Sequence, residues 1–402
     1  MTIGNKKIPN YYIYITIGVV IAGVAAILFL VLRGSEVTPS PPEAGRGFFG
    51  FLFGEDASPQ TPSSLQENGA AQNGAEQKKY LFRISDEPVA GATVAPDGTH
   101  VRYFKKSTGH LFENKFTGHE EKRVSNITIP AVQNAQWTPS KEYAIISFYD
   151  EGEIRRLYSR YSGTSTVTSA FLPKDIKEIA VSQTADRIAY TISSGGETSL
   201  FTAQPDNTGI KNIFSTPISD FEITWPAANL LGLKTKSSAY APSFLYTINA
   251  SGGAFTRLFA EKQGFDVLWA PDGKTLLAME TTNEGTSVSL QVISLADNAA
   301  ITLPFVTLPE KCAWAPTSEQ RVLYCGVPQS VPRGANLPDA WWQGSVSFED
   351  TLWRIAVDTG ERQQLLPAHQ LDAVNLFVAE NEEFLFFTNK KDGLLWSIHL
   401  KS

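Results

Sequence analysis

Seven copies of one pattern run from about residue 91 to the end of the chain. Val94, Trp137, Val181, Trp225, Trp269, Trp314 and Phe377 hold the same place in successive copies, at intervals of 43, 44, 44, 44, 45 and 63 residues. A repeat of this length builds a supersecondary unit that buries its apolar face only against its neighbours, so the copies must stack or close into a ring.

The clearest copy is Val267 to Met279, which reads as strand, turn and strand. Pro271, Asp272 and Gly273 supply a fixed φ, a side-chain acceptor and a positive φ, and the apolar runs on either side are set to pair. Ala92–Phe104, Ala135–Phe148 and Ala313–Tyr324 keep a Pro in this hairpin. The copies at Val181 and Trp225 replace it with Gln183 and Ala227, and the last copy has Ala379. Asp186, Asn229 and Asn381 still offer turn chemistry there.

A third strand of common type follows, as in Arg156-Leu-Tyr-Ser, Ser199-Leu-Phe-Thr, Thr351-Leu-Trp-Arg and Leu394-Leu-Trp-Ser, and a turn and fourth strand usually come next. Four short antiparallel strands in about 44 residues make a propeller blade. The spacing therefore predicts an all-β, seven-bladed β-propeller of four-stranded antiparallel blades over 79–402. The seventh copy ends after its third strand, and Lys79–Ser85 is a fourth strand with no blade of its own. The two ends of the chain are expected to complete one sheet, which removes a pair of free strand edges.

This hairpin, Trp-x-Pro-Asp-Gly-Lys followed by a Leu-Trp or Leu-Tyr strand, resembles the TolB-type, WD-repeat-like β-propellers of bacterial envelope proteins. The resemblance covers residues 79 to 400. It implies the fold and an envelope protein as partner. The Gly-His and Trp-Asp signatures of true WD repeats are absent, as is the separate N-terminal domain of TolB.

Tyr11 to Leu32 is a run of 22 uncharged residues. As a helix it is roughly 33 Å long, enough to cross a bilayer core of about 30 Å. It ends in Leu-Phe-Leu-Val-Leu-Arg rather than in a small-residue cleavage site, which separates it from a signal peptide. Lys6 and Lys7 precede it and Arg33 alone follows closely. The expectation is a single-pass cell-membrane protein with residues 1–10 cytoplasmic, 11–32 transmembrane, 33–78 a flexible linker and the propeller extracytoplasmic. The linker's Pro, Ser, Gln, Asn, Gly and Ala cannot bury enough apolar area to offset chain entropy. Phe48, Phe49, Phe51 and Phe53 interrupt it, as an interfacial or docking cluster or as a local collapse without a role.

A net charge of −7 with no basic stripe argues against nucleic acid as a partner. The chain has five His and none of the common catalytic, phosphate-binding or calcium-binding motifs. The expectation is a binding or scaffolding protein rather than an enzyme, without cofactor or metal. An enzyme using the central channel is the rival of different class.

Two features remain. Cys312 and Cys325 lie equally far from the midpoint of the sixth hairpin, so they face each other across two strands. The alternatives are a disulfide and two small buried thiols. The sixth interval is about 18 residues longer than the others, and the extra chain, Val327 to Asp350, falls between the second and third strands of its blade. Long loops on rigid scaffolds often carry function. Trp341 and Trp342, with Asp339, Arg333 and Gln343, are the candidate binding residues, as an aromatic platform for a peptide or a cell-wall glycan. The alternative is that the insertion folds back and its two Trp plug the ring face.

Overall fold

The computed structural model describes residues 80–161, 167–316, 321–367 and 369–400. The expected cytoplasmic segment, membrane helix and linker lie outside them, as does the Phe cluster. Among the described residues no helix is long and apolar enough to cross a membrane.

The described chain forms seven four-stranded antiparallel sheets arranged as propeller blades. Blade 2 shows the plan: Val132–Trp137 innermost, then Tyr143–Asp150, Glu153–Tyr161 and, outermost, Val167–Phe171. In blade 7 the inner three strands are Ala373–Val378, Phe384–Asn389 and Leu395–His399, and the outer one is Leu81–Arg83 from the other end of the chain. Leu81 pairs with Ile398 and Arg83 with Trp396, so the ring closes as its missing fourth strand predicts.

The hairpin turns work as their residues suggest. In blade 5 the Asp272 carboxylate accepts from the Lys274 and Thr275 amides at 2.7 and 2.9 Å. Gly273 takes φ +63°, and a Cβ there would sit 2.6 Å from that of Ala227 in the preceding blade.

The repeat tryptophans join neighbouring blades. Trp137 stacks on Phe104 of blade 1, ring centroids 5.4 Å apart, and donates its indole N–H to Gly91 O at 2.7 Å. Trp314 donates in the same way to Leu268 O of blade 5 at 3.3 Å. A large aromatic at this place buries apolar area between two sheets, and in Trp137 and Trp314 its polar edge also finds a carbonyl, whereas the indole N–H groups of Trp225 and Trp269 find no partner among the described residues. Connections between blades and between second and third strands lie on one face, here the upper face. The first hairpin turns lie on the lower one.

Candidate functional site

The 44-residue repeat places side chains at the upper rim of the central channel in register. Glu178, Glu222, Asp266 and Glu310 fall at intervals of 44 residues. The first three lie in the inner strands Ile176–Val181, Phe221–Ala227 and Asp266–Trp269. Glu310 lies in the short 3-10 helix Pro309–Lys311 that leads into Cys312–Trp314. The repeat thus sets a carboxylate at one place in blades 3, 4 and 5, three residues before Val181, Trp225 and Trp269; in blade 6 that place is Lys311, and Glu310 stands one residue earlier.

Lys234, paired across the sheet from Glu222, sits 2.6 Å from that carboxylate and 3.3 Å from Asp266. Burial alone would lower its ammonium, but Asp266 and Glu222 outweigh that and hold it above the usual range. Burial pushes the Asp266 carboxyl up despite Lys234, and burial likewise raises Glu178 against the pull of Arg156. Glu310 opens to solvent within a concave mouth. Partial burial of the carboxyl in this mouth, with repulsion from Asp266 and Glu222 added, outweighs the Trp342 hydrogen bond and pushes it up to about 7.

The blade-6 insertion crosses this mouth as a strap pinned to three other blades. Asn336 Nδ2 donates to Glu284 O at 2.6 Å, and the Leu337 amide to Gly285 O at 3.0 Å, both in blade 5. Gly285 is required at this crossing, because it has φ +86° and a Cβ would meet Leu337 O at 2.5 Å. Asp339 then accepts from Ser238 Oγ and the Ala239 amide of blade 4 at 2.8 and 2.7 Å. From blade 7, Lys390 Nζ donates to Trp341 O and lies 4.3 Å from the Trp341 ring centroid.

The short helix Asp339–Trp342 divides the two tryptophans. Trp341 is 1% exposed and reaches a buried ionic cluster beneath the strap. Lys311 Nζ there donates to Asp350, Asp372 and the Ala373 carbonyl, with all three charged side chains fully buried. Asp372 also accepts from Trp341 Nε1, Ser347 Oγ and the Phe348 amide. Burial would raise Asp372, but Lys311 and these donors hold it below the usual carboxylate range. Burial pushes Asp350 up, and its Oδ1 accepts no hydrogen bond.

Trp342 is half-buried, and its indole N–H donates to Glu310 Oε1 at 3.0 Å. Both residues line a cavity of about 470 Å³ at the upper mouth, with Leu268, Pro309, Asn375 and Lys390. A second cavity, about 550 Å³, occupies the lower part of the channel and is lined from all seven blades.

The expected platform is therefore split. Trp341 is closed into the cluster and cannot present its ring, Asp339 is spent on blade 4, and Arg333 and Gln343 are exposed on the strap. Both tryptophans line the cavity, but Trp341 is 1% exposed and Trp342 is the one that presents an accessible aromatic edge. Sequence reading missed Glu310, although its 44-residue spacing from Asp266 was there to find. It also missed Lys311, Asp350 and Asp372, for which the chain carries no local signal. Cys312 and Cys325 pair across the sheet and are joined, with sulfurs 2.11 Å apart. Among the described residues no group of three or more His, Cys, Asp or Glu is placed to hold a metal ion.

No protein-family model matches the chain, and no curated protein matches it. Among solved structures, an oligogalacturonate lyase from Vibrio parahaemolyticus superposes with a TM-score of 0.56 at 7% identity, covering 81% of this chain and 95% of that one. An oligogalacturonate lyase in complex with manganese gives 0.57 at 7% identity, over 80% and 93%. At that identity the likeness shows the propeller fold and no more. TolB from Acinetobacter baumannii matches 69% of this chain and 63% of that one at 13% identity, with a TM-score of 0.44, too loose a likeness to argue from. The chain is similar to these propellers in architecture, with a strap and a rim of carboxylates built from its own residues.

Proposed function

We propose that this chain is a single-pass membrane protein whose extracytoplasmic propeller binds another protein of the cell envelope at the upper mouth of its channel. The observation that carries the reading is the strapped mouth itself. It is a concave, solvent-open cavity on a rigid ring, with the Trp342 edge and the Glu310 carboxylate on its wall. Such a wall suits an extended segment with a basic or hydrogen-bonding side chain, which the Glu310 carboxylate can meet beside the Trp342 edge. The uncharged run Tyr11–Leu32 and the positive charges before it support the anchor and its orientation.

Cross-linking in the native membrane, followed by mass spectrometry, tests the reading with wild type beside Trp342→Ala and Glu310→Gln. Neither substitution touches the buried cluster. Capture of one envelope protein by wild type, lost in both variants, is the expected result. Capture unchanged in both moves the binding surface elsewhere on the ring. Binding to isolated wall material with no protein captured would replace the protein partner with a glycan, which the half-buried Trp342 ring also fits. A reporter fused at Ser402 and active only in the cytoplasm would overturn the orientation.

A further inference from the structure

Outer strands of propeller blades present unpaired backbone groups to solvent, and proteins usually guard such edges with charge. In this ring the guards are Lys122 and Arg123 in blade 1, Lys211 in blade 3, Arg257 and Lys262 in blade 4, Glu361 and Arg362 in blade 6, and Arg83 in blade 7. Blade 5 ends in a strand of only three residues, Ala300–Thr302. Blade 2 alone has a longer outer strand without charge or proline, Val167-Thr-Ser-Ala-Phe171.

That strand carries Phe171, which at 61% is the most exposed large apolar side chain among the described residues. Phe148 and Arg155 hold it from behind, with the Phe148 ring 6.2 Å away and the guanidinium 5.1 Å from the Phe171 ring. The apolar face is therefore fixed in place and open.

The register shows which backbone groups are free. The Leu172 amide donates to Arg156 O, and the strands run with Tyr158 opposite Ala170 and Arg160 opposite Thr168. In an antiparallel ladder hydrogen-bonded and non-bonded pairs alternate. The N–H and C=O groups of Thr168 and Ala170 thus turn toward the neighbouring strand, whereas those of Val167, Ser169 and Phe171 point outward.

We propose that this edge is an interface between two copies of the chain, joined through their blade-2 outer strands about a two-fold axis at Ser169. The edge is its own complement. An antiparallel copy centred on Ser169 sets Ser169 opposite its counterpart, and Val167 opposite Phe171 in both directions. All three positions are the outward-facing ones, so each pair can exchange backbone hydrogen bonds. The same pairing covers each Phe171 with a Val167 on one face of the joined sheet, and no charge of either strand opposes another. The area is small beside the roughly 800 Å² per partner of a stable dimer, so association is weak and concentration-dependent.

The test uses the full chain in detergent. Its two native cysteines are bonded to each other, so a single added cysteine is the sole free thiol. In the two-fold register the Cα atoms at 169 lie about 5.5 Å apart, within disulfide range, while those at 168 are offset along the strands beyond about 7 Å. Ser169→Cys should therefore form a covalent dimer on mild oxidation, and Thr168→Cys should not. Sedimentation of wild type should show a concentration-dependent dimer that Ser169→Lys abolishes. A wild type that stays monomeric at about 100 µM, well above ordinary weak-interface affinities, overturns the proposal. So does equal cross-linking at 168 and 169, or a dimer that survives Ser169→Lys in a protein whose melting is unchanged. An edge that takes a strand from some other protein would appear as the monomeric outcome.

Discussion

The Trp341 indole donates to the Asp372 carboxylate at 3.0 Å, and through this bond the strap of blade 6 is tied to the start of blade 7. The two residues are 31 apart in sequence and both fully buried, and Lys311 donates to the same carboxylate with its Nζ 5.3 Å from the Trp341 ring centroid.

Trp341 and Trp342 should therefore behave as opposites. Trp341→Ala removes a large buried side chain and takes one donor away from the buried Asp372 carboxylate, and a loss of about 3–5 kcal/mol is expected. Trp342→Ala opens the mouth without a core cavity and should cost about 1 kcal/mol or less. Urea unfolding of both variants checks the contrast, and equal losses would place Trp342 in the core as well.

The ionic cluster makes a second expectation. Lys311→Met leaves two carboxylates buried without their cation and should destabilise the ring by about 3–5 kcal/mol. Adding Asp350→Asn should recover part of that loss, because Asn keeps an acceptor for the Ala373 amide while removing one of the two buried charges. Denaturant midpoints of the single and double variants measure it. A double variant no better than the single would mean that Asp350 takes up a proton once Lys311 is gone.

How far the chain could be read from its letters divides along the same lines. The blades were legible because each repeats one local pattern, and the closing strand because a periodic pattern exposes what is missing from its last copy. The facing of Cys312 and Cys325 followed from counting outward from one turn. The cluster of Lys311, Asp350 and Asp372 was not legible, since three charges from separate segments meet only after the insertion folds over them. Trp341 and Trp342 are adjacent in sequence and alike in type, so nothing local distinguishes the buried ring from the accessible one. Turning along a single helical turn decides it.

Glu310 gives the molecule a pH dependence near neutrality. Its carboxyl is raised to about 7 in the fold from an ordinary 4.5. A raised carboxyl contributes stability that is fully present below the unfolded value and lost as pH rises through the folded one, here between about 4.5 and 7. Because the group opens to solvent, the loss is screened to about 1 kcal/mol. Wild type should therefore weaken from pH 5 to pH 8 relative to Glu310→Gln, whose amide still accepts from Trp342. Parallel pH dependences of the two proteins would show that the carboxylate is fully relieved by water.

The closure of the ring can be tested at its seam. Leu81–Arg83 is held by the ladder to Leu395–His399 and by blade 1, where Asn114 Nδ2 donates to Ile84 O at 3.0 Å and Gly118 packs so close to Arg83 O that a Cβ would lie 2.4 Å away. A ring of blades transmits the loss of one outer strand only if that strand also joins two blades, and these contacts join blade 7 to blade 1. Deleting residues 79–85 should thus lower the melting temperature of the whole propeller in one cooperative transition, exposing the edge of Leu395–His399 to aggregation. Asn114→Ala, which keeps the strand but strips one tie, should cost about 1–3 kcal/mol. Calorimetry decides between the two mechanisms. An unchanged transition on deletion would mean that the ring is held by its inner strands alone, whereas a small early transition followed by the wild-type one would confine the seam to blade 7.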